Sequence, residues 1–312
     1  MRRTKDYIIL YLKGLSMGAV EVIPGVSSGT VAFITGIYEE LLNTIKSVDI
    51  EALKLLGAFR FADFWKKING NFITVLLAGI LTSLFSIAKL MTWLMNAYPI
   101  QVWSFFFGLI LISSPIIMRE IKKWHGGIIL AFVFGIAAGY IITILSPTQT
   151  PDALWFIFIA GVIAISAMIS PGISGAFILL LLGKYEYMIT ALTNLEIIVI
   201  LVFAAGCVVG IISFSRVLSW ILSNYRYPTI ALLGGFMLGS LNKAWPWKEV
   251  ISFRIDHSGK QVPAIDKSVL PWDFLEKTGN DPLIIQAIVM MALGVFIVVL
   301  IEKIAERLKT NN

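Results

Sequence analysis

Two short motifs carry residue types that bind anions. Residues 24–30 read Pro-Gly-Val-Ser-Ser-Gly-Thr and residues 171–175 read Pro-Gly-Ile-Ser-Gly. Proline ends a preceding helix and glycine permits a reversal, so each motif marks the tip of a re-entrant hairpin whose second leg begins there as a helix. Such a start presents free N–H groups, the positive end of a helix dipole and Ser or Thr hydroxyls, a set suited to an anion and above all to phosphate. The candidate phosphate ligands are therefore Ser27, Ser28, Gly29, Thr30, Ser174 and Gly175. The plainer alternative is a hairpin turn capped by Ser27 and Ser174.

A few charges interrupt apolar runs. Lys89 and Arg216 fall within stretches otherwise able to cross a bilayer, where a cation near the centre costs roughly 2.5 to 3.5 kcal/mol and calls for a partner. Pairing with phosphate or a carboxylate is the functional reading, for which the planar Arg fork is well shaped, and snorkelling to the interface is the bland one. Glu21 precedes the first tip by three residues, with Met168 at the matching place in the second half. A carboxylate at that depth is either paired with a cation or protonated, and either state is able to couple movement to protons. Tyr38, Glu39, Tyr185 and Glu186 recur in both halves. Glu39 and Glu186 each lie 12 residues beyond the motif serine, roughly 18 Å along a straight helix, and so stand at the hairpin mouths as gates or structural braces.

The elements that position these residues follow from composition. The chain has 312 residues, of which 58% are hydrophobic and 14% charged, with mean hydropathy +0.86, so it is an all-α integral membrane protein and not a soluble enzyme. His125 and His257 fall in loops and Cys207 sits in an apolar run, so neither a metal site nor a cofactor is expected. The net charge of +6 is spread along the flanks of apolar segments, as orientation in a membrane requires, and implies no nucleic-acid partner. Ten apolar segments cover residues 7–23, 26–42, 72–95, 102–117, 128–145, 154–169, 173–192, 197–222, 229–241 and 283–301. The cation-rich stretches 43–71 and 119–123 and the basic tail read as cytosolic, the first with an amphipathic surface helix over 47–67. The connections near Pro99, Pro147 and residues 190–195 carry no Lys or Arg and read as external. The loop 242–282, with six cations and six carboxylates, is external by the parity of the crossings.

An internal repeat ties the motifs together. Displacing the chain so that Pro24 meets Pro171 also brings Gly14 onto Gly161 and Gly36-Ile-Tyr-Glu39 onto Gly183-Lys-Tyr-Glu186. A second displacement brings Ala78-Gly79 onto Ala205-Gly206, Lys89 onto Arg216 and Trp93 onto Trp220. The order of landmarks is kept, and the parity makes residues 1–147 and 148–312 two inverted-topology repeats, each with a re-entrant helical hairpin and about three transmembrane helices. Trp93 and Trp220 read as interfacial belt residues.

On these residues the chain resembles the bacterial polyprenyl-phosphate transporter family, the PopT type. The likeness covers nearly the whole chain and rests on Lys13-Gly14, Met17-Gly18, Glu21 through Thr30, Gly36 through Glu39 and Ser170 through Gly175. In that family the position of Glu21 is usually aspartate and that of Ser28 often glycine, changes that preserve the chemistry. The resemblance implies a flippase of the bacterial cytoplasmic membrane, both termini cytosolic, that returns undecaprenyl phosphate from the outer to the inner leaflet and so recycles the lipid carrier of cell-wall synthesis. Its partners would be the polyprenyl phosphate lipid and the bilayer. The alternative is a membrane undecaprenyl-diphosphate phosphatase, whose first motif resembles Glu21 to Ser28. Here no His follows the first serine cluster and no Arg separates serines in the second. A small-solute channel is a third reading, without an evident ring of selectivity residues.

Overall fold

The computed structural model describes residues 3–21, 27–86, 88–145, 147, 150–255 and 261–310, with side chains except at 88, 89, 92, 254, 255, 262, 264, 301 and 304–310. Each of the ten apolar segments is helical over its described residues, and two of them, the second and the seventh, are broken in two. The first is α1 (Thr4–Glu21), and the second is split into α2 (Ser28–Ile34) and α3 (Tyr38–Lys46). After α4 (Ile50–Gly57) and α5 (Phe61–Lys67), the third runs as α6 (Gly70–Ser86) and α7 (Ala88–Ala97). Next come α8 (Pro99–Met118), α9 (Gly126–Ile144) and α10 (Leu154–Ile169), then a second split pair, α11 (Gly175–Leu181) and α12 (Tyr185–Thr193). The chain ends in α13 (Ile197–Asn224), α14 (Arg226–Ala244), β1 (Lys248–Ile255), β2 (Gln261–Ser268), α15 (Pro271–Thr278) and α16 (Ile284–Thr310).

The splits have a local cause. Gly36 and Gly183 hold φ of 72° and 64°, and the next N–H returns to the helix, Ile37 to the Ala32 carbonyl and Lys184 to that of Leu179. These are Schellman stops in which glycine meets the left-handed requirement. The chain turns by 106° between α11 and α12.

Close helix crossings organise the rest. A Cβ at Gly14 or Gly79 would strike the facing backbone of α6 or α1, and one at Gly161 or Gly206 would strike α13 or α10. Gly108 and Gly294 join α8 to α16 in the same way, and Gly135 and Gly235 join α9 to α14. Backbones approach because small residues line the seams, the usual device of helices in lipid, where apolar burial gives no net drive. Large side chains point outward instead: Leu130, Phe134, Leu201 and Ile285 are each more than 60% exposed, a surface that suits acyl chains and not water.

Among the described residues three helices, α8, α9 and α13, are long and apolar enough to cross a membrane, or up to five if the bent pairs α5–α6 and α11–α12 each count as one span.

Two expectations need correction. The all-α class holds except for β1 and β2, an antiparallel hairpin pairing Lys248 with Ser268 and Val250 with Asp266. Its β-branched residues Val250, Ile251 and Ile265 favour a pleated strand, a signal hidden beneath the loop's charges. The insert is two short helices and not one, because Asp49 caps α4 through the Ala52 N–H at 2.8 Å and Phe59, at φ 56°, ends it.

Candidate functional site

The two tip motifs meet. Ser27, fully buried where α2 starts, accepts the Gly29 N–H at 3.1 Å and directs its hydroxyl toward the carbonyls of Met168 at 2.8 Å and Ser170 at 3.2 Å. Those carbonyls belong to the last turn of α10, whose C-terminal oxygens have no partner within the helix. In return, the Gly172 N–H donates to Thr30 Oγ1 at 2.8 Å, and Thr30 is 1% exposed. Gly29 lies so close to the Ile169 carbonyl that a Cβ there would overlap it. Pro24, Gly25 and Val26 of the first motif lie outside the described residues.

Glu21 ends α1, and its Oε1 accepts the Ser28 N–H at 3.1 Å. A carboxylate of the chain itself therefore occupies the position at the start of α2 that the sequence assigns to an external anion, and its partner there is a backbone donor.

Ser174 precedes α11, 3% exposed and without a side-chain cap bond, and Gly175 follows it, its would-be Cβ 2.7 Å from the Ala164 carbonyl oxygen. With Gly172, Phe177, Phe236, Ser240 and Lys243, Ser174 lines a cavity of about 10 Å³, room for roughly one water. Gly172 holds φ 92° there, a turn that suits glycine alone.

Neither anticipated cation has a described contact with the two motifs. The Lys89 side chain lies outside the described residues. Arg216 is exposed on α13 and has no hydrogen-bond or ion-pair partner among the described residues. Other cations meet polar groups, Lys243, Lys248 and Lys184 among them. Lys243, in the last turn of α14, and Lys248, first in β1, share the Asp266 carboxylate, each at 3.4 Å. Lys243 lies over the Phe177 ring, 4.7 Å from its centre, and Lys248 lies 5.3 Å over Trp103 while donating to the Lys243 carbonyl at 2.8 Å. Burial first and the Lys243 charge second push the Lys248 ammonium down to about 8. Burial acts to raise the Asp266 carboxyl, but the two ammonium groups outweigh it and hold that group below its ordinary value. Lys184 is the third cation, 2% exposed, ion-paired with Asp152 and donating to the Thr150 carbonyl at 2.6 Å.

The residues expected at the hairpin mouths open α3 and α12. Glu39 pairs with Arg226 at 2.8 Å, and Arg226 also binds Glu120 at 2.9 Å. Beside them Ser219 Oγ meets Asn43 Oδ1 at 3.2 Å, and a cavity of about 80 Å³ is lined by Glu39, Asn43, Ser219, Ser223 and Arg226. Tyr38 is 2% exposed with its ring edge on Phe33, and its hydroxyl has no hydrogen-bond partner among the described residues. Tyr185 and Glu186 are half-buried at the start of α12.

Sequence reading missed Lys184, Lys243, Lys248, Asp266 and Arg226. Lys184 stood in the repeated Gly-Lys-Tyr-Glu block, inside the apolar segment 173–192, and was given no role. Counting the 242–282 loop as charge-balanced hid a local excess of two lysines over one carboxylate.

The VCA0040-like family, described as undecaprenyl phosphate translocase-like, matches residues 17–262. A curated protein named polyprenyl-phosphate transporter from Vibrio cholerae serotype O1 is 44% identical over 305 residues, covering 98% of this chain and 99% of its own. Another of that name from Staphylococcus aureus is 28% identical over 256 residues, 75% of this chain and 85% of its own. Both relatives are named as transporters and not as enzymes, in agreement with the resemblance drawn from the motifs. No solved structure matches.

Proposed function

The chain belongs to the undecaprenyl phosphate translocase-like family, and on that premise we propose that it is a flippase that returns undecaprenyl phosphate from the outer to the inner leaflet of the bacterial cytoplasmic membrane, recycling the carrier for cell-wall synthesis. Residues 1–147 and 148–312 act as inverted repeats whose re-entrant hairpins form the phosphate path, while the isoprenoid tail stays in lipid. One observation carries this reading: the two repeated tip motifs, 24–30 and 171–175, interlock through Ser27, Thr30 and Gly172. Broken helices from opposite halves meeting in the protein interior are the arrangement that alternating access uses.

Matched positions support the repeat. Gly14 faces Gly79 as Gly161 faces Gly206, and Gly108 joins α8 to α16 as Gly235 joins α14 to α9. Trp93 stacks edge-on with Tyr98 at 5.7 Å, and its counterpart Trp220 with Tyr225 at 6.0 Å. The charge pattern supports cytosolic placement of one end, where Arg119 pairs with Glu302 and Arg226 joins Glu39 to Glu120, gathering the basic connection, the tail helix and the first hairpin. At the other end Ile100, Trp247, Val269, Phe274 and Ala287 pack together, as an external cap would.

The halves are not packed alike. On the cytosolic end α3 lies against α13, with Asn43 bonded to Ser219, and Glu39 pairs with Arg226 at the start of α14, whereas among the described residues α12 has no packing of that extent on α6 or α7. This asymmetry supports a state closed to the cytosol that takes its headgroup from outside. Ser28, Ser174, Lys89 and Arg216 then receive the phosphate as the halves rock, and Glu21 releases the Ser28 N–H when protonated, which would couple transport to protons. The test is reconstitution in liposomes with labelled undecaprenyl phosphate, with and without a pH gradient. Protein-dependent movement between leaflets, with a gradient effect lost in Glu21→Gln, is expected. Absence of movement by the wild-type chain would overturn the reading.

A further inference from the structure

We propose that Lys243 and Lys248, with Ser174 beside them, form the external receiving site for a phosphate monoester, and that Asp266 is a built-in stand-in for that anion. This rests on the flippase reading above and names a subsite of it.

The argument begins with charge. Two ammonium groups face one carboxylate, and their side chains are only 17% and 13% exposed, so one positive charge is held away from water without a matching negative one among the described residues. A buried charge of that kind is costly and calls for an anion. Asp266 does not grip either lysine, for both separations are 3.4 Å, whereas charge-assisted N–H···O bonds settle near 2.7–2.9 Å. Lys248 spends one donor on the Lys243 carbonyl at 2.8 Å. Lys243 donates only to Asp266 among the described residues and keeps donors to spare, and it lines the same cavity as Ser174 and Ser240. That cavity is too small for a phosphate in this state, so the headgroup enters by displacing Asp266 and parting α11 from α14. Phe177 and Trp103 hold the two ammoniums from below by cation–π contact, which leaves them aimable and not neutralised.

The fold explains why the site exists only where the β-hairpin folds back. Ser268 donates to Asn242 Oδ1 at 2.9 Å and Asn242 to Thr143 Oγ1 at 2.8 Å, pinning β2 to the ends of α14 and α9. Trp245 Nε1 reaches the Val269 carbonyl at 2.8 Å. Lys248 and Asp266 are thereby carried over the end of α14, next to the second tip.

Direct binding and transport by the full-length chain in nanodiscs and liposomes test the proposal, with polyprenyl phosphate, polyprenol and inorganic phosphate as probes. Lys243→Gln is expected to weaken polyprenyl phosphate binding about tenfold or more, with polyprenol unaffected and the unfolding midpoint unchanged or higher. Asp266→Asn is expected to keep or tighten binding, because it removes the competing anion. A merely structural cluster predicts the opposite, with Asp266→Asn as damaging as Lys243→Gln. Competition by inorganic phosphate, lost in Lys243→Gln, would show that the site takes the phosphate group itself. Its failure to compete while Lys243→Gln still weakens lipid binding would assign the site to a lipid-borne headgroup. Wild-type binding and transport in both Lys243→Gln and Lys248→Gln would overturn the receiving site and leave the flippase intact. A wild-type chain that moves no lipid would remove the flippase reading instead.

Discussion

Replacing Thr30 by valine takes one hydroxyl from the place where the tips interlock and leaves the side-chain shape nearly unchanged. Thr30 is 1% exposed and its Oγ1 accepts the Gly172 N–H at 2.8 Å, so when the acceptor is lost water has little access to take its place. A buried amide left without a partner costs about 1–3 kcal/mol. Thr30→Ser keeps the acceptor and loses one methyl, about 0.8 kcal/mol if fully buried. Valine is therefore expected to destabilise by about 2 kcal/mol and serine by less than half of that. In thermal unfolding of the detergent-solubilised chain, followed by circular dichroism, about 2 kcal/mol lowers the midpoint by roughly 3 °C. Ser27→Ala removes the other set of bonds across the same junction, and the double variant should show coupling of about 0.5–3 kcal/mol, since both act on one interface. The interlock would be refuted by a Thr30→Val midpoint equal to wild type with Thr30→Ser below it, for then the methyl and not the hydroxyl would hold the tips.

Three further outcomes are expected. With Cys207 replaced by serine, cysteines at Asn43 and Ser219 should bridge under mild oxidation and stop transport until a reductant is added; undiminished transport by the bridged protein would mean that α3 and α13 need not part. Asp152→Ala should destabilise by about 2–3 kcal/mol in the same unfolding assay, less than a fully buried pair because Asp152 is 66% exposed, whereas Lys184→Met should cost less by removing the buried charge itself. Lys248 titrates near 8 in the folded chain against an ordinary 10.5, so the folded state binds fewer protons between these values and gains stability as pH rises through them; relative to Lys248→Met, the wild type should gain up to roughly 3 kcal/mol between pH 7 and 10.5, and a flat difference would refute the buried-cation assignment.

What the sequence made legible is what periodicity and punctuation encode. The ten apolar runs could be read because each follows from a local rule about helices, whereas the breaks at Gly36 and Gly183, which interrupt what reads as one straight helix from the motif serine to Glu39 or Glu186, could not. Nor could burial and partnership. Glu21 read as either paired with a cation or protonated, yet it accepts a backbone N–H seven residues on, and no residue pattern announces a choice that depends on where α1 ends relative to α2. The 2:1 lysine excess over Asp266 arises only when β1 and β2 pair and fold over α14, a tertiary event invisible to a charge count along the loop. Arg226 was likewise one cation among many until two chain segments, at Glu39 and Glu120, converged on it.

The contacts divide into two classes by how closely the matched positions agree. Crossings made through glycine, α1 on α6 with α10 on α13, and α8 on α16 with α14 on α9, recur in both halves with backbone against backbone. Seams of that kind have no slack, since a few tenths of an ångström more would forfeit their dispersion contacts and any less would clash. Hairpin packing does not recur: α3 lies on α13 with a side-chain hydrogen bond from Ser219 to Asn43 and reaches the start of α14 through the Glu39–Arg226 ion pair, and among the described residues α12 lacks equivalent support. On the inverted-repeat reading, the glycine seams are the rigid body and the hairpins with their polar latches are the parts that exchange roles. Exposed polar latches contribute only about 0–1 kcal/mol each, so a bound headgroup with a modest preference for one state is able to tip the exchange.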